Sequence, residues 1–166
     1  MNFKVEKIDN RSSIISALET STEKILEEIG QKAQAYAVMN APVGTPASTG
    51  VERYRGGSLK NSITHKIVEN SVHIGTNITA EVQHYDNDGN KLNVTNEPYG
   101  LFVELGTGIY ADDGQGRKSP WAYQDKNGKW HNTKGIKPKH FLRNAISEHM
   151  DEYKQIVADG LKDINL

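Results

Sequence analysis

"LFVELGTGIYADDGQG" (residues 101–116) is the stretch on which the choice of fold turns. The apolar run Leu101–Leu105 leads into Gly106-Thr107-Gly108-Ile109-Tyr110-Ala111, which satisfies the dinucleotide pattern G-x-G-x-x-G/A. An acidic residue, Asp125, stands near the spacing of a ribose ligand. A parallel nucleotide-binding sheet needs a helix directly after those glycines, its amide end facing the pyrophosphate. Here Asp112-Asp113-Gly114-Gln115-Gly116-Arg117-Lys118-Ser119-Pro120 follows instead. Two glycines and a proline oppose a helix, and paired aspartates repel phosphate. The pattern is met and its context is missing. Gly106 and Gly108 are therefore expected to end a short core-facing segment, Tyr99–Leu105, and to release a loop.

Outward from this stretch the chain reads as helix, antiparallel strands, helix. Phe3, Val5 and Ile8 alternate as in a short strand, and Ile14, Ile15 and Leu18 suit a brief helical piece. Thr20-Ser21-Thr22-Glu23 has the form of a capping box, so a second helix start is expected there. Ile25, Ile29, Ala33, Tyr36 and Ala37 then recur at helical spacing until Ala41-Pro42 stops the helix. Residues 42–57 are loop by composition, and Ser58–Ile63 suits one short helical turn. Thr64–Glu69 and Val72–Thr76 read as a hairpin turning at Asn70-Ser71, with Ile67, Val68, Val72 and Ile74 available to a core. The Asp/Asn/Gly-rich runs 85–91 and 123–129 read as two further hairpin tips. After Pro138, the residues from Phe141 to Val157 trace one apolar helical face that holds to about Leu161. The order predicts an α+β fold, a single domain over 1–166, with a long N-terminal-half helix and a C-terminal helix on one face of an antiparallel sheet.

Composition narrows the function classes. The chain has 166 residues, no cysteine, and 20 basic against 21 acidic side chains. Disulfides, thiolate metal sites and a cysteine nucleophile are excluded. Mean hydropathy is −0.67, no run suits a membrane span, and MNFKVEKID lacks an apolar signal core, so the cytoplasm is expected. Residues 1–40, 41–137 and 138–166 carry five, eleven and four basic residues against six, ten and five acidic ones. None of these is a nucleic-acid footprint.

The residues that look chemical mostly have plainer readings. Asp86, Asp88, Asn90 and Glu97 match EF-hand positions, but Lys91 stands where the loop requires glycine. His65 and His73 fall on different strands of one hairpin, and His149 on the apolar face of the last helix suits a packed core or rim residue. Glu104, between Val103 and Leu105, suits a partly buried, paired carboxylate. An enzyme reading, a small hydrolase, would need Glu104 to converge with His65, His73 or His131. Neither a cofactor nor a metal is expected.

Four blocks, in order, carry a resemblance. They are Ala41-Pro42 with Ser58-Leu59-Lys60-Asn61-Ser62-Ile63; Ile74-Gly75-Thr76; Tyr99, Phe102, Val103, Glu104, Gly106 and Thr107; and Pro138, Phe141, Leu142, Arg143 and Ala145. Over residues 20–160 this resembles the tail-completion or head–tail joining proteins of long-tailed phages and prophages, small subunits also known as minor capsid or tail components. The chain departs from that pattern in a widened 43–57 loop and an insertion at 78–97. The resemblance implies a non-enzymatic virion subunit, made in the bacterial host cytoplasm, that forms a ring, commonly hexameric. Its partners would be further copies of itself, the tail tube or tail terminator, and the head connector. DNA would pass through the bore without specific contacts, and no membrane is involved. A tail-terminator role is the neighbouring alternative. Glu104, Gly106, Thr107, Gly108, Phe141 and Arg143 would be motif and turn residues. Arg53, Tyr54, Arg55, Tyr110, Asp112, Asp113 and Arg117 would lie on docking loops, 43–57 and 109–119, expected to be mobile until a partner orders them.

Overall fold

A computed structural model describes residues 9–44, 56–85, 90–124, 128–162 and 164. Among them the chain is α+β, and one helix organises the rest. That helix, α1 (Arg11–Asn40), is 30 residues long and runs through the expected second start without a break. The capping-box residues sit inside it because continuing a helix adds one hydrogen bond per residue, whereas stopping and restarting needs a new nucleus. Its end falls where Pro42 requires: Ala41 is extended and returns its N–H to the Ala37 carbonyl.

The short helix α2 (Ser58–Ser62) leads into β1 (Ile63–Val68), which pairs antiparallel with β2 (Ser71–Thr76). The turn is Glu69-Asn70, one residue earlier than the sequence suggests, with Glu69 in the left-handed region at φ 55°. This register puts Ile63, His65 and Ile67 on one face, opposite Thr76, Ile74 and Val72. Val68 is moved to the solvent side, a correction to its expected core position. His65 and His73 consequently face opposite sides of the hairpin.

β3 (Ala80–Tyr85) pairs with β4 (Lys91–Glu97), and β5 (Trp121–Gln124) with β6 (Trp130–Thr133). Both hairpins follow the sequence reading. Among the described residues, however, the six strands form three separate two-stranded ladders, where one sheet was expected. α1 covers the inner face of β1–β2, while the other two hairpins pair mainly within themselves. Phe3, Val5 and Ile8 lie outside the described residues.

Between the second and third hairpins, residues Tyr99–Leu105 form a two-turn helix, α3, followed by a 3-10 turn at Gly108–Tyr110. The C-terminal element is two helices, α4 (Phe141–Ser147) and α5 (Met150–Lys162), not one. No glycine or proline stands at Glu148-His149; the break is held by tertiary contacts described below. The core has two parts along α1. Ala37 and Ala41 meet Leu59, Ile63, Val103, Phe141 and Ala145, with Phe141 fully buried. Farther toward the N-terminus, Ile25 and Ala33 meet Tyr153 and Ile156. The pair α4–α5 therefore runs antiparallel to α1. Its start lies at the C-terminal end of α1, and Gly160 packs so closely on Ile25 that a Cβ there would overlap the isoleucine.

Candidate functional site

The glycine stretch that opened the sequence reading is a crossing of two chain segments. Thr107 N–H donates to the Ile136 carbonyl at 2.9 Å, and Ile136 N–H returns to the Thr107 hydroxyl at 3.0 Å. Ile109 N–H donates to the Lys134 carbonyl at 3.0 Å. The amides a phosphate would use are thus occupied by residues 134–136. Gly108 has φ 63°, and a Cβ on it would overlap the Lys134 carbonyl; one on Gly135, at φ 119°, would overlap the Thr107 carbonyl. Two backbones approach this closely only where neither carries a side chain.

Glu104 sits immediately above the crossing. It is 7% exposed, and its two carboxylate oxygens accept the N–H groups of Leu142 (2.8 Å) and Arg143 (3.0 Å). Those are among the four amides that the first turn of a helix leaves unpaired. α4 has no side-chain cap of its own: its N-cap position is His140, held in the left-handed region at φ 50°. A glutamate 38 residues earlier in the chain supplies the cap. Backbone bonds from Lys139 N–H to Val103 and from His140 N–H to Glu104 complete the junction. Glu104 is therefore buried and paired, as expected, but with backbone rather than with a cation.

Asp112 closes the other side. Its carboxylate takes Arg143 Nη1 at 2.9 Å, and its N–H donates to the Leu105 carbonyl. His140 Nδ1 lies 3.6 Å from the same carboxylate, beyond hydrogen-bond reach, and is buried without a partner. Of the residues assigned to the second docking loop, Asp112 and Tyr110 are thus part of the anchored base. The Tyr110 ring lies under the Lys137 ammonium at 5.7 Å. Asp113 and Arg117 are on the exposed rim, where Asp113 accepts Gln115 N–H and Arg117 lies over Trp121. Arg53, Tyr54 and Arg55 lie outside the described residues.

A second junction joins α1 to α5. Glu152 accepts from the Lys32 ammonium and, at 2.6 Å, from the Tyr36 hydroxyl, while the Tyr36 ring stacks on His149 with centroids 3.3 Å apart. Lys32 above all, and Tyr36 next, hold the Glu152 carboxyl below its ordinary range. The Tyr153 hydroxyl donates to the Ala145 carbonyl across the break between α4 and α5, and burial pushes that phenol up to about 12. Sequence reading found His149 as a packed residue but not its partners, because they come from a helix more than a hundred residues away. His140 and Gly135 were missed for the same reason: their geometry is imposed by the segment they cross.

Two of the three histidines of the hydrolase reading have other partners. His65 meets Gln34 at 2.6 Å and Glu27 at 3.3 Å, its ring against Gly30, and His131 stacks on Tyr123. Glu97 accepts the Thr95 hydroxyl. Two adjoining clefts of about 680 and 260 Å³ lie along the N-terminal half of α1 beside the β1–β2 hairpin and share Glu23. Compared with known protein families, curated proteins and solved structures, the chain matches none. No helix among the described residues is long and apolar enough to cross a membrane.

Proposed function

We propose that this chain is a structural virion subunit that forms a ring, hexameric in the particle, at the head-proximal end of a long-tailed phage tail and joins that tail to the head connector. The observation that carries the reading is where the four resembling blocks lie. Ala41, Leu59, Ile63, Val103, Phe141 and Ala145 belong to one buried cluster. The Ser62 hydroxyl meets that of Thr76, linking the first block to the second. A Cβ on Gly100 would overlap the Thr76 methyl, which places the second block against α3. Glu104 ties the third block to the fourth through Leu142 and Arg143. Four blocks spread over a hundred residues thus belong to one packed unit, which supports reading them together.

The surroundings suit a scaffold. Around this unit stand hairpins and a polar loop rim, Asp113 to Lys118, available to neighbours. In the proposed ring DNA passes through the bore, for which a near-neutral chain is suitable. Electron microscopy of the protein added to isolated tails tests the reading. Extra density at the head-proximal end is expected; density along the tube or at the tip overturns it. Binding to unfinished tubes in preference to finished tails would favour the tail-terminator role.

A further inference from the structure

Two exposed apolar surfaces differ in charge. The first is the groove along the N-terminal half of α1. The side chains of Ile15, Leu18 and Leu26 line it, and Glu19, Glu23 and Glu69 rim it. Ile15 and Leu18 are 54% and 40% exposed. The second surface lies on the crossing. Ile136 and Ile109 are 50% and 43% exposed there, beside Tyr110, among the exposed ammonium groups of Lys134, Lys137 and Lys139. Residues 101–143 hold eight basic against four acidic side chains, whereas 11–31 hold two against four.

These surfaces sit at opposite ends of the molecule. The crossing belongs to the unit packed on Ala37 and Ala41, and the groove is centred near Glu23. At 1.5 Å per residue, Glu23 and Ala41 are about 27 Å apart along α1. One chain cannot bring them together. A second copy can.

We propose that the acidic apolar groove beside the N-terminal half of α1 receives the basic apolar patch Ile109–Tyr110–Lys134–Ile136–Lys137–Lys139 of a second copy of this chain, head to tail. The occupant is identified by complementarity: apolar centre on apolar centre, carboxylate rim on ammonium rim. Because the two surfaces are different, each added copy leaves one groove and one patch open, so assembly continues until rotation closes it. The choice of surfaces rests on their exposed apolar residues and their charge, while closure into a ring rests on the function proposed above.

Charge reversal tests it without touching the core. The variant E19K/E23K makes the groove rim basic, and K134E/K137E makes the patch acidic; all four side chains are exposed. Sedimentation velocity is run over a concentration series, with far-ultraviolet circular dichroism as the folding check. The wild-type chain is expected to self-associate at least about tenfold more weakly at 1 M salt, where the Debye length is ~3 Å, than at 0.01 M, where it is ~30 Å. Each variant alone is expected to stay monomeric, because groove and patch then carry the same sign. An equimolar mixture of the two is expected to regain assembly, since each groove meets an opposite patch. A monomeric wild-type chain, variants that assemble like it, or a mixture that stays monomeric each overturns the proposal. If the mixture stays monomeric while wild-type protein still decorates tails, only the surfaces are wrong. If the mixture assembles while tails remain bare, the virion reading falls and the interface stands.

Discussion

The two junctions that fasten α4 and α5 to the rest of the chain both centre on a glutamate, and they work differently. Glu104 is nearly enclosed and faces two backbone amides. Glu152 has a third of its side chain exposed and faces an ammonium and a phenol. The buried carboxylate satisfies groups that would otherwise be unpaired inside the protein, so removing it leaves a penalty behind. The exposed one competes with water for partners that water can also satisfy. The comparison teaches that a cap supplied from a distant segment fixes where α4 begins, while the ion pair only adjusts how α5 leans on α1.

The largest test of that difference is at the crossing beneath Glu104. Phe141→Ala empties the centre of the junction and is expected to cost about 3–5 kcal/mol. Gly108→Ala, which drives a methyl group into the Lys134 carbonyl, belongs in the same range of about 3 kcal/mol or more. Either seen at under 1 kcal/mol by urea denaturation would mean the crossing is not the rigid unit described. Next comes Glu104→Ala, expected to cost about 2–3 kcal/mol by leaving the Leu142 and Arg143 amides unpaired. Its hydrogen-exchange signature is local, with faster exchange at the first turn of α4.

At the second junction the effects are smaller. Tyr153→Phe loses one neutral hydrogen bond, about 1 kcal/mol. In the parent chain the phenol is raised from 10.0 to about 12, so its contribution is intact below pH 10 and is lost as pH rises through about 12. Ultraviolet titration should find Tyr153 among the late-ionising tyrosines, beside Tyr36, which its bond to Glu152 also raises, and the variant should lack the Tyr153 step. The smallest effect is at Glu152, whose carboxyl is held below its ordinary 4.5. Its stabilisation is present above pH 4.5 and fades as pH falls through the lowered value. Glu152→Gln should therefore lower Tm slightly at pH 7 and converge on the parent in stronger acid. A variant as damaging as Glu104→Ala would break the comparison.

How much of this was legible beforehand depended on the range of the interaction. The Asp/Asn/Gly clusters announced hairpin tips because turn conformations are chosen by the turn residues themselves. The stop of α1 was readable at Ala41-Pro42, since proline restricts the residue before it. In contrast, the four apolar residues among 101–105 are too few for periodicity to separate strand from helix, and the structure places them in α3. Glu104 was recognisable as a buried pairing residue, but the identity of its partners was not.

By itself, then, the chain order of apolar spacing, turn residues and prolines determined an α+β molecule without a nucleotide-binding helix after Ala111. Those are local properties, decided within a few residues by backbone sterics. Only the tertiary structure decided that Gly108 faces Gly135, that a distant glutamate caps α4, that six strands stay as three pairs, and that acidic and basic apolar surfaces end up at opposite ends of α1. Each of these depends on which segments meet across tens of residues, and that is set by the packing of the whole core around one helix.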